Sequence, residues 1–293
     1  MKKMLLIINP RAGKMRAKSG LFDVINIFCK AGFTVTVQIT KEQGHGIDLA
    51  KNSGEYDIIV CSGGDGTLNE IISGVMQAEK SKPVGYIPSG STNDFAKSMG
   101  ISSDIKTAAK AISQGEEHKI DIGIIDKKRY FTYIASFGMF TAASYNTPQS
   151  AKNTFGHLAY IFEGMKDIGN FKTYNVKAET KEKVYEGEYV FGGITNSTSV
   201  GGMVNLDEEI VDLSDGLFEV ILIKNPKNLD ELARIINGLA TSNFSDGVFE
   251  FFKSSEIKFT MPEKTSWSLD GEEYVAGTNV RVKNLNKAIT FVK

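Results

Sequence analysis

At 293 residues, with 41% apolar and 24% charged side chains, the chain has the make-up of a globular protein with room for two domains, each burying its own core. A formal net charge of −1 excludes a general attraction to nucleic acid or to an anionic membrane. Two cysteines and three scattered histidines, His45, His118 and His157, exclude a disulfide framework and a zinc site.

Residues 4–8 form a short apolar run that ends in Asn9-Pro10-Arg11-Ala12-Gly13-Lys14, a buried strand followed by a turn. The basic residues Lys2, Lys3, Arg11, Lys14, Arg16 and Lys18 crowd this end, and residues 4–10 are too short, without a cleavage site, for a signal peptide. Leu21, Val24, Ile25 and Phe28 recur at helical spacing and Gly32 closes that helix. A second strand, 33–39, is rich in Val and Thr and ends at Thr40, before a loop with Gly44-His45-Gly46 and a short helix near 47–51. Cys29 and Cys61 fall in a helix and a strand that read as buried, so both are expected to be small core residues of a reduced, cytoplasmic protein.

Residues 57–61 then run into Ser62-Gly63-Gly64-Asp65-Gly66-Thr67-Leu68-Asn69-Glu70, around which the chain is organised. An apolar strand breaks into three glycines around one aspartate, and helical periodicity begins at Leu68. Backbone N–H groups at such a turn can hold an anion, and Gly63, Gly64 and Gly66 would permit positive φ and a close approach by phosphate. Asp65 would repel phosphate unless a cation lay between them, so the turn suggests phosphate with a divalent metal. Two other glycine motifs fail: no Gly-Lys-Ser/Thr ending is present, and Asn69 stands where a dinucleotide fingerprint needs its third glycine.

Leu68, Ile71, Ile72 and Val75 mark a helical face; 84–87 is a fourth strand, ending in Pro88-Ser89-Gly90-Ser91-Thr92-Asn93-Asp94-Phe95. Helix 108–112 and strand 118–125 follow. Strand–helix alternation predicts a parallel sheet covered on both faces. Asn9–Gly13, Thr40, Gly63–Thr67 and Ser89–Asp94 all follow strands at their carboxyl ends, the edge where open α/β sheets bind ligands.

Beyond residue 126 short alternating segments dominate: 130–136, 174–179, 185–195, 217–223, 256–260 and 278–282, with helices at 155–168 and 229–239. Residues 130–151 carry no charge, yet Asn146, Pro148, Gln149 and several hydroxyls make them too polar for a membrane helix. The expected organisation is α/β plus mostly β: an α/β domain over 1–125 and an antiparallel β-sandwich domain over 126–293, the last strand free to return to the first domain. With no Pro- or Ser-rich linker between them, a cleft is expected where the two meet. Asp212-Leu213-Ser214-Asp215-Gly216-Leu217 offers carboxylate and carbonyl oxygens suited to Mg²⁺, and the same spacing suits a plain Asp-Gly hairpin turn. Leu269-Asp270-Gly271-Glu272-Glu273 reads first as a hairpin.

Taken together and in order along the chain, these motifs resemble the diacylglycerol kinase catalytic-domain family, the lipid kinases that include sphingosine and ceramide kinases. The glycine-aspartate string alone is shared with NAD kinases and, in shorter form, with phosphofructokinases; Asn93-Asp94-Phe95 and Asp270-Gly271-Glu272 point to the lipid branch. The resemblance implies an NAD-kinase/phosphofructokinase-like α/β nucleotide domain with the active site in the interdomain cleft. It implies ATP on Asn9, Pro10, Arg11, Ala12 and Gly13, on Gly63, Gly64, Asp65, Gly66, Thr67, Leu68 and Asn69, and on the loop of Ser91, Asn93 and Asp94, with Thr40 lining the pocket. It also implies that Glu272 is the proton acceptor, and that Asp212, Asp215 and Leu217 hold a structural Mg²⁺. On this reading Asp65 is the second catalytic residue, helping to place Mg²⁺ against the phosphates. Two places depart from the family: Ser91 stands where Thr is usual, and Gly201-Gly202-Met203 stands for three glycines. The expected activity is ATP- and Mg²⁺-dependent phosphorylation of a lipid hydroxyl, diacylglycerol first. Another lipid (sphingoid base, monoacylglycerol, phosphatidylglycerol) and an NAD-kinase-like activity are the alternatives. The expected partner is a lipid at the membrane surface, met transiently without a transmembrane segment and without nucleic acid, by a protein that the resemblance suggests is a homodimer.

Overall fold

Strand β1 (Lys2–Ile8) is buried from Met4 onward and lies parallel to β2 (Phe33–Ile39) on one side and to β3 (Ile58–Gly63) on the other. The structure is a computed structural model describing residues 1–13, 20–139, 172–200, 204–206 and 210–293. The chain divides into two compact units, Met1–Ile122 with Leu285–Lys293, and Gly123–Asn284.

In the first unit, β4 (Val84–Pro88) adds in parallel to β3, and Phe291 and Val292, at the end of β17 (Asn279–Val292), pair in parallel with β4. The order is β2-β1-β3-β4-β17. The chain leaves β1 towards β2 and returns to the opposite side of β1 as β3, so the winding reverses between β1 and β3. Met4, Leu6, Ile8, Ile58 and Val60 pack on Val24 and Phe28 of α1 (Leu21–Lys30) and on Ala108, Ala109 and Ile112 of α5 (Ile105–Gln114). The alternate residues Leu5, Ile7, Ile59 and Cys61 point to the other face and are equally buried. Helix α3 (Asp65–Gln77) buries Leu68, Ile71, Ile72 and Val75, and packs on α2 (His45–Lys51) and β3. Burial on both faces is why these strands read as continuous apolar runs.

Two readings are corrected here. Cys29 is exposed, unlike Cys61: it follows Phe28, which fills the inward stripe of α1, and one residue further on a helix turns about 100° away. The residues read as a turn at 94–95 begin a short helix, α4 (Asp94–Ser98).

The second unit is mostly antiparallel β. It starts within β5 (Glu117–Ile125) and continues with β6 (Arg129–Phe131), β7 (Ile134–Gly138), β8 (Tyr174–Glu179) and β9 (Val184–Thr195). After a two-stranded ribbon of β10 (Ser199–Val200) and β11 (Val204–Asn205) come β12 (Phe218–Lys224), β13 (Phe249–Ser254), β14 (Glu256–Thr260), β15 (Thr265–Leu269) and β16 (Glu272–Ala276). The order β16-β15-β7-β9-β8-β14-β17 has β12 on β9 as well, and β13 on β12. Along β12, Phe218, Val220 and Leu222 enter a core with Trp267, Phe137 and Phe259, while Ile221 and Ile223 face a second cluster under α6 (Leu229–Thr241). Phe137 and Trp267 meet with ring centroids 4.9 Å apart.

The strand expected over 130–136 is broken into β6 and β7, and β13, β15 and β16 carry no strand assignment in the sequence reading. Charges alternating with aromatics in β13 and β16, and the Thr-Ser-Trp-Ser opening of β15, hide strands whose partners are remote. The helix expected at 155–168, residues 140–151 of the uncharged stretch, His157, Lys14, Arg16, Lys18 and Gly201-Gly202-Met203 lie outside the described residues. Among the described residues no helix is long and apolar enough to cross a membrane.

Candidate active site

Register puts four loops of the first unit side by side. Thr40 N donates to Ile8 O (2.9 Å), Asn9 N to Ser62 O (2.9 Å) and Ser89 N to Gly63 O (2.8 Å), so the residues leaving β2, β1, β3 and β4 share the carboxyl edge at the reversal of the winding. That is where an open parallel sheet leaves room for a ligand.

Asn9 builds the first loop with its own side chain. Its Oδ1 accepts from Arg11 N (2.9 Å), and its Nδ2 donates to Thr67 Oγ1 (2.8 Å) in the first turn of α3. Pro10, Arg11 and Ala12 follow around the turn, with Ala12 N donating to Asn9 O (3.3 Å). Gly13 has φ of +50°, and a Cβ there would collide with the carbonyl oxygen of Ser89.

Positive φ was one of two sequence reasons for Gly63, Gly64 and Gly66, beside a close approach by phosphate, and none of the three uses it. Gly63 and Gly64 need space instead. A Cβ on Gly63 would meet the Thr67 side chain at 2.6 Å and one on Gly64 would lie 3.2 Å from Gly90 Cα, whereas Gly66 has nothing within 4 Å on its open side. Leu68 is core rather than ligand surface, fully buried beneath the turn. Asn69 lies next to it in the first turns of α3. Asp65 turns its carboxylate to α4, accepting from Asp94 N (3.1 Å) and Phe95 N (3.4 Å). These donors offset part of the charge that made a cation seem necessary.

The Ser89–Asp94 loop closes on Asn93, at φ +52°. Its Oδ1 accepts from Gly90 N (3.0 Å) and from Tyr86 Oη (3.2 Å), and its Nδ2 donates to Gly90 O (3.1 Å). Burial first, and the Asp65 charge second, push the Tyr86 hydroxyl far above its usual range, so it stays a neutral donor. Ser91 is exposed on this loop. Asp94 is buried and paired with Lys97 (3.0 Å). Ser89 Oγ is buried with no hydrogen-bond partner among the described residues. A hydroxyl without a partner where the loops of Gly13, Gly63 and Ser89 meet fits an anionic oxygen as its partner. Sequence reasoning missed how Glu70 serves this edge: its carboxylate accepts from Gly44 N (2.8 Å) and Gly46 N (3.0 Å), fixing the loop after Thr40.

In the second unit, Asp270 and Gly271 form the two-residue turn between β15 and β16, with φ of +50° and +88°. Asp270 points inward, fully buried. Its Oδ2 accepts from Thr132 N (2.6 Å) and Thr132 Oγ1 (2.8 Å), its Oδ1 from Tyr133 N (3.0 Å) and Ile134 N (3.0 Å). Burial pushes its carboxyl up, and these donors pull against that. Glu272 follows at the start of β16 and pairs with Arg129 Nη2 through Oε2 (3.0 Å). Arg129, 143 residues earlier, carried no signal in the sequence. The adjacent Glu273 accepts from Ser266 Oγ (2.7 Å) instead.

The turn at 212–217 is held by its own carboxylates: Asp212 Oδ1 accepts from Ser214 N (2.9 Å) and Asp215 Oδ1 from Leu217 N (2.8 Å). The Leu217 carbonyl accepts from Asn284 Nδ2 (3.1 Å). Among the described residues no three His, Cys, Asp or Glu side chains gather as metal ligands. The oxygens here are of the type a hard cation takes, and a cation is present, the ammonium of Lys253. It lies 3.4 Å from Asp215 Oδ2 and 3.1 Å from Glu219 Oε1, and donates to Ile210 O.

Residues 3–125 match the model of the diacylglycerol kinase catalytic domain. The chain is 33% identical over 276 residues to a diacylglycerol kinase of Bacillus subtilis, covering 93% of this chain and 90% of that protein. To a diacylglycerol kinase of Staphylococcus saprophyticus it is 34% identical over 241 residues, 80% of this chain and 77% of that protein. The fold is that of a crystal structure of a diacylglycerol kinase from Bacillus anthracis, with a TM-score of 0.76, 22% identity, and coverage of 99% and 96% of the two chains.

Proposed function

The chain belongs to the diacylglycerol kinase family and is a lipid kinase, and from that premise we propose that it phosphorylates the free hydroxyl of diacylglycerol, giving phosphatidic acid. The observation that carries the proposal is the shared edge of the Asn9, Gly63–Thr67 and Ser89–Asp94 loops, with small residues and a buried Ser89 hydroxyl that has no partner among the described residues. ATP is the family's phosphate donor; the proposal seats its phosphates on this edge, with Thr40 lining the pocket.

Phosphoryl transfer asks a protein for positioning, charge neutralisation and a proton acceptor. Magnesium, when bound with the nucleotide, supplies the neutralisation, and Asp65 is the carboxylate that would hold it there. Glu272 accepts the proton as the lipid oxygen bonds to the γ-phosphorus and the bridging oxygen leaves with ADP. A structural Mg²⁺ held by Asp212, Asp215 and the Leu217 carbonyl is part of the proposal, sharing Asp215 with Lys253. The protein would act as a cytoplasmic homodimer that meets the membrane surface transiently. Support for Glu272 over Glu273 lies in the Asp270-Gly271-Glu272 motif; both carboxylates have partners, Arg129 for Glu272 and Ser266 for Glu273.

Radiolabel transfer from ATP into a total bacterial lipid extract, with the labelled species identified, tests the substrate. Phosphatidic acid is the expected product; label confined to a sphingoid base, monoacylglycerol or phosphatidylglycerol would reassign it. Glu272→Gln is expected to lose about 10²–10⁴-fold in turnover with ATP binding kept. Near-normal turnover would move the base elsewhere.

A further inference from the structure

The turn that carries Glu272 is tied down by a group the chemistry does not use. A type I′ two-residue turn needs positive φ at both central residues, and Asn-Gly serves as well as Asp-Gly. The turn by itself therefore does not explain a carboxylate at 270. What explains it is the break between β6 and β7. There the backbone N–H groups of Thr132, Tyr133 and Ile134 and the Thr132 hydroxyl converge on Asp270, and Asp270 N donates back to Ile134 O (2.9 Å). The Tyr133 peptide is clamped from its other side, its carbonyl accepting from Thr195 Oγ1 (2.8 Å) and Asn196 N (3.0 Å). An asparagine at 270 would set its own NH2 against these donors and leave at least one buried N–H unmet. On one side of the wrapped carboxylate, β6 presents Arg129; on the other, two residues on, β16 presents Glu272; the two side chains meet at 3.0 Å.

We propose that Asp270 is a positioning residue for the reaction: its buried carboxylate locks the β15–β16 turn to the β6–β7 break and so sets Glu272 and Arg129 in register. Asp270 touches no reactant and acts through Glu272. The inference rests on the reading of Glu272 as the proton acceptor. A side chain on a short turn stays within the tolerance catalysis demands only when such supports hold it.

The test is a cycle of Asp270→Asn, Glu272→Gln and the double variant, assayed where circular dichroism shows each protein folded. Asp270→Asn is expected to lower kcat on the order of 10²-fold, the scale of an ångström-size misplacement, with KM for ATP unchanged. In the Glu272→Gln background the same change should lower kcat little further, because the group it positions is already disabled. Thr132→Val, which removes one donor of four, should move kcat in the same direction by less, and serves if Asp270→Asn does not fold. Wild-type kcat in folded Asp270→Asn, or losses that multiply in full in the double variant, would overturn the proposal. Wild-type turnover in Glu272→Gln would instead remove the reading on which it rests.

Discussion

Replacing Lys253 by methionine should destabilise the protein in a way that grows with pH, and the structure sets the size. Glu219 is fully buried, and neither of its oxygens accepts a hydrogen bond from the described residues; the Lys253 ammonium, 3.1 Å from Oε1, is in ion-pair range. At an effective dielectric constant of about 20, such a pair is worth roughly 5 kcal/mol before desolvation. Burial outweighs even that attraction and pushes the Glu219 carboxyl up to about 7. The folded chain therefore holds a proton that the unfolded chain has released. Stability falls as pH rises from the unfolded value, 4.5, to about 7, and is then level for this group. Without Lys253 the folded value climbs further, so the fall continues into the alkaline range. Because the stranded glutamate can take up a proton, the extra cost at pH 8 is limited to the pH unit between the wild-type value and pH 8, about 1.4 kcal/mol, and with the lost contacts we expect about 2–2.5 kcal/mol for Lys253→Met at pH 8. At pH 5 the glutamate is already neutral, and only about 1 kcal/mol of contacts with Asp215 and Ile210 should be lost. Urea denaturation at pH 5, 6, 7 and 8 measures both. An equal loss at pH 5 and pH 8 would show that packing, not charge, is the cause, and would refute the argument.

Gly13→Ala should cost about 1–3 kcal/mol, because alanine resists φ of +50° and its Cβ meets the Ser89 carbonyl; calorimetry gives the stability and an ATP titration the accompanying loss of affinity. Asp215→Ala should lower the melting temperature and abolish any rise on adding Mg²⁺; an identical Mg²⁺ response in wild type and variant would count against an ion at that turn. A thiol reagent should modify Cys29 in the native protein and reach Cys61 only after denaturation, since burial and the Asp65 charge also hold the Cys61 thiol protonated.

Much of the first unit could be read locally. Apolar runs such as 4–8 and 58–61 announce strands, and the polar turns after them already imply a common edge once the sheet is parallel, because each parallel strand ends on the same side. Why Gly63 and Gly64 are needed by the fold was not readable. Positive φ is the usual local reason, whereas for Gly63 and Gly64 the actual one is clearance from Thr67 and from Gly90, a neighbouring helix turn and the loop after a neighbouring strand. Cys29 shows the same limit: it lies in an apolar helix, yet facing is decided to within one residue by what the helix packs on.

The second unit marks the boundary more sharply. Family motifs placed Asp270-Gly271-Glu272 and Asp215-Gly216-Leu217 in the sequence, and turn chemistry supplied their hairpin character. The partners of these residues, Thr132 for Asp270, Arg129 for Glu272 and Lys253 for Asp215 and Glu219, are supplied only by the tertiary structure. Composition, periodicity and turn residues act over a few positions, so the chain alone determined the class, the order of elements and the chemical groups available. Strand register acts over more than a hundred residues, and it alone decided which carboxylate is wrapped in amides, which is paired with a guanidinium, and which is buried beside an ammonium.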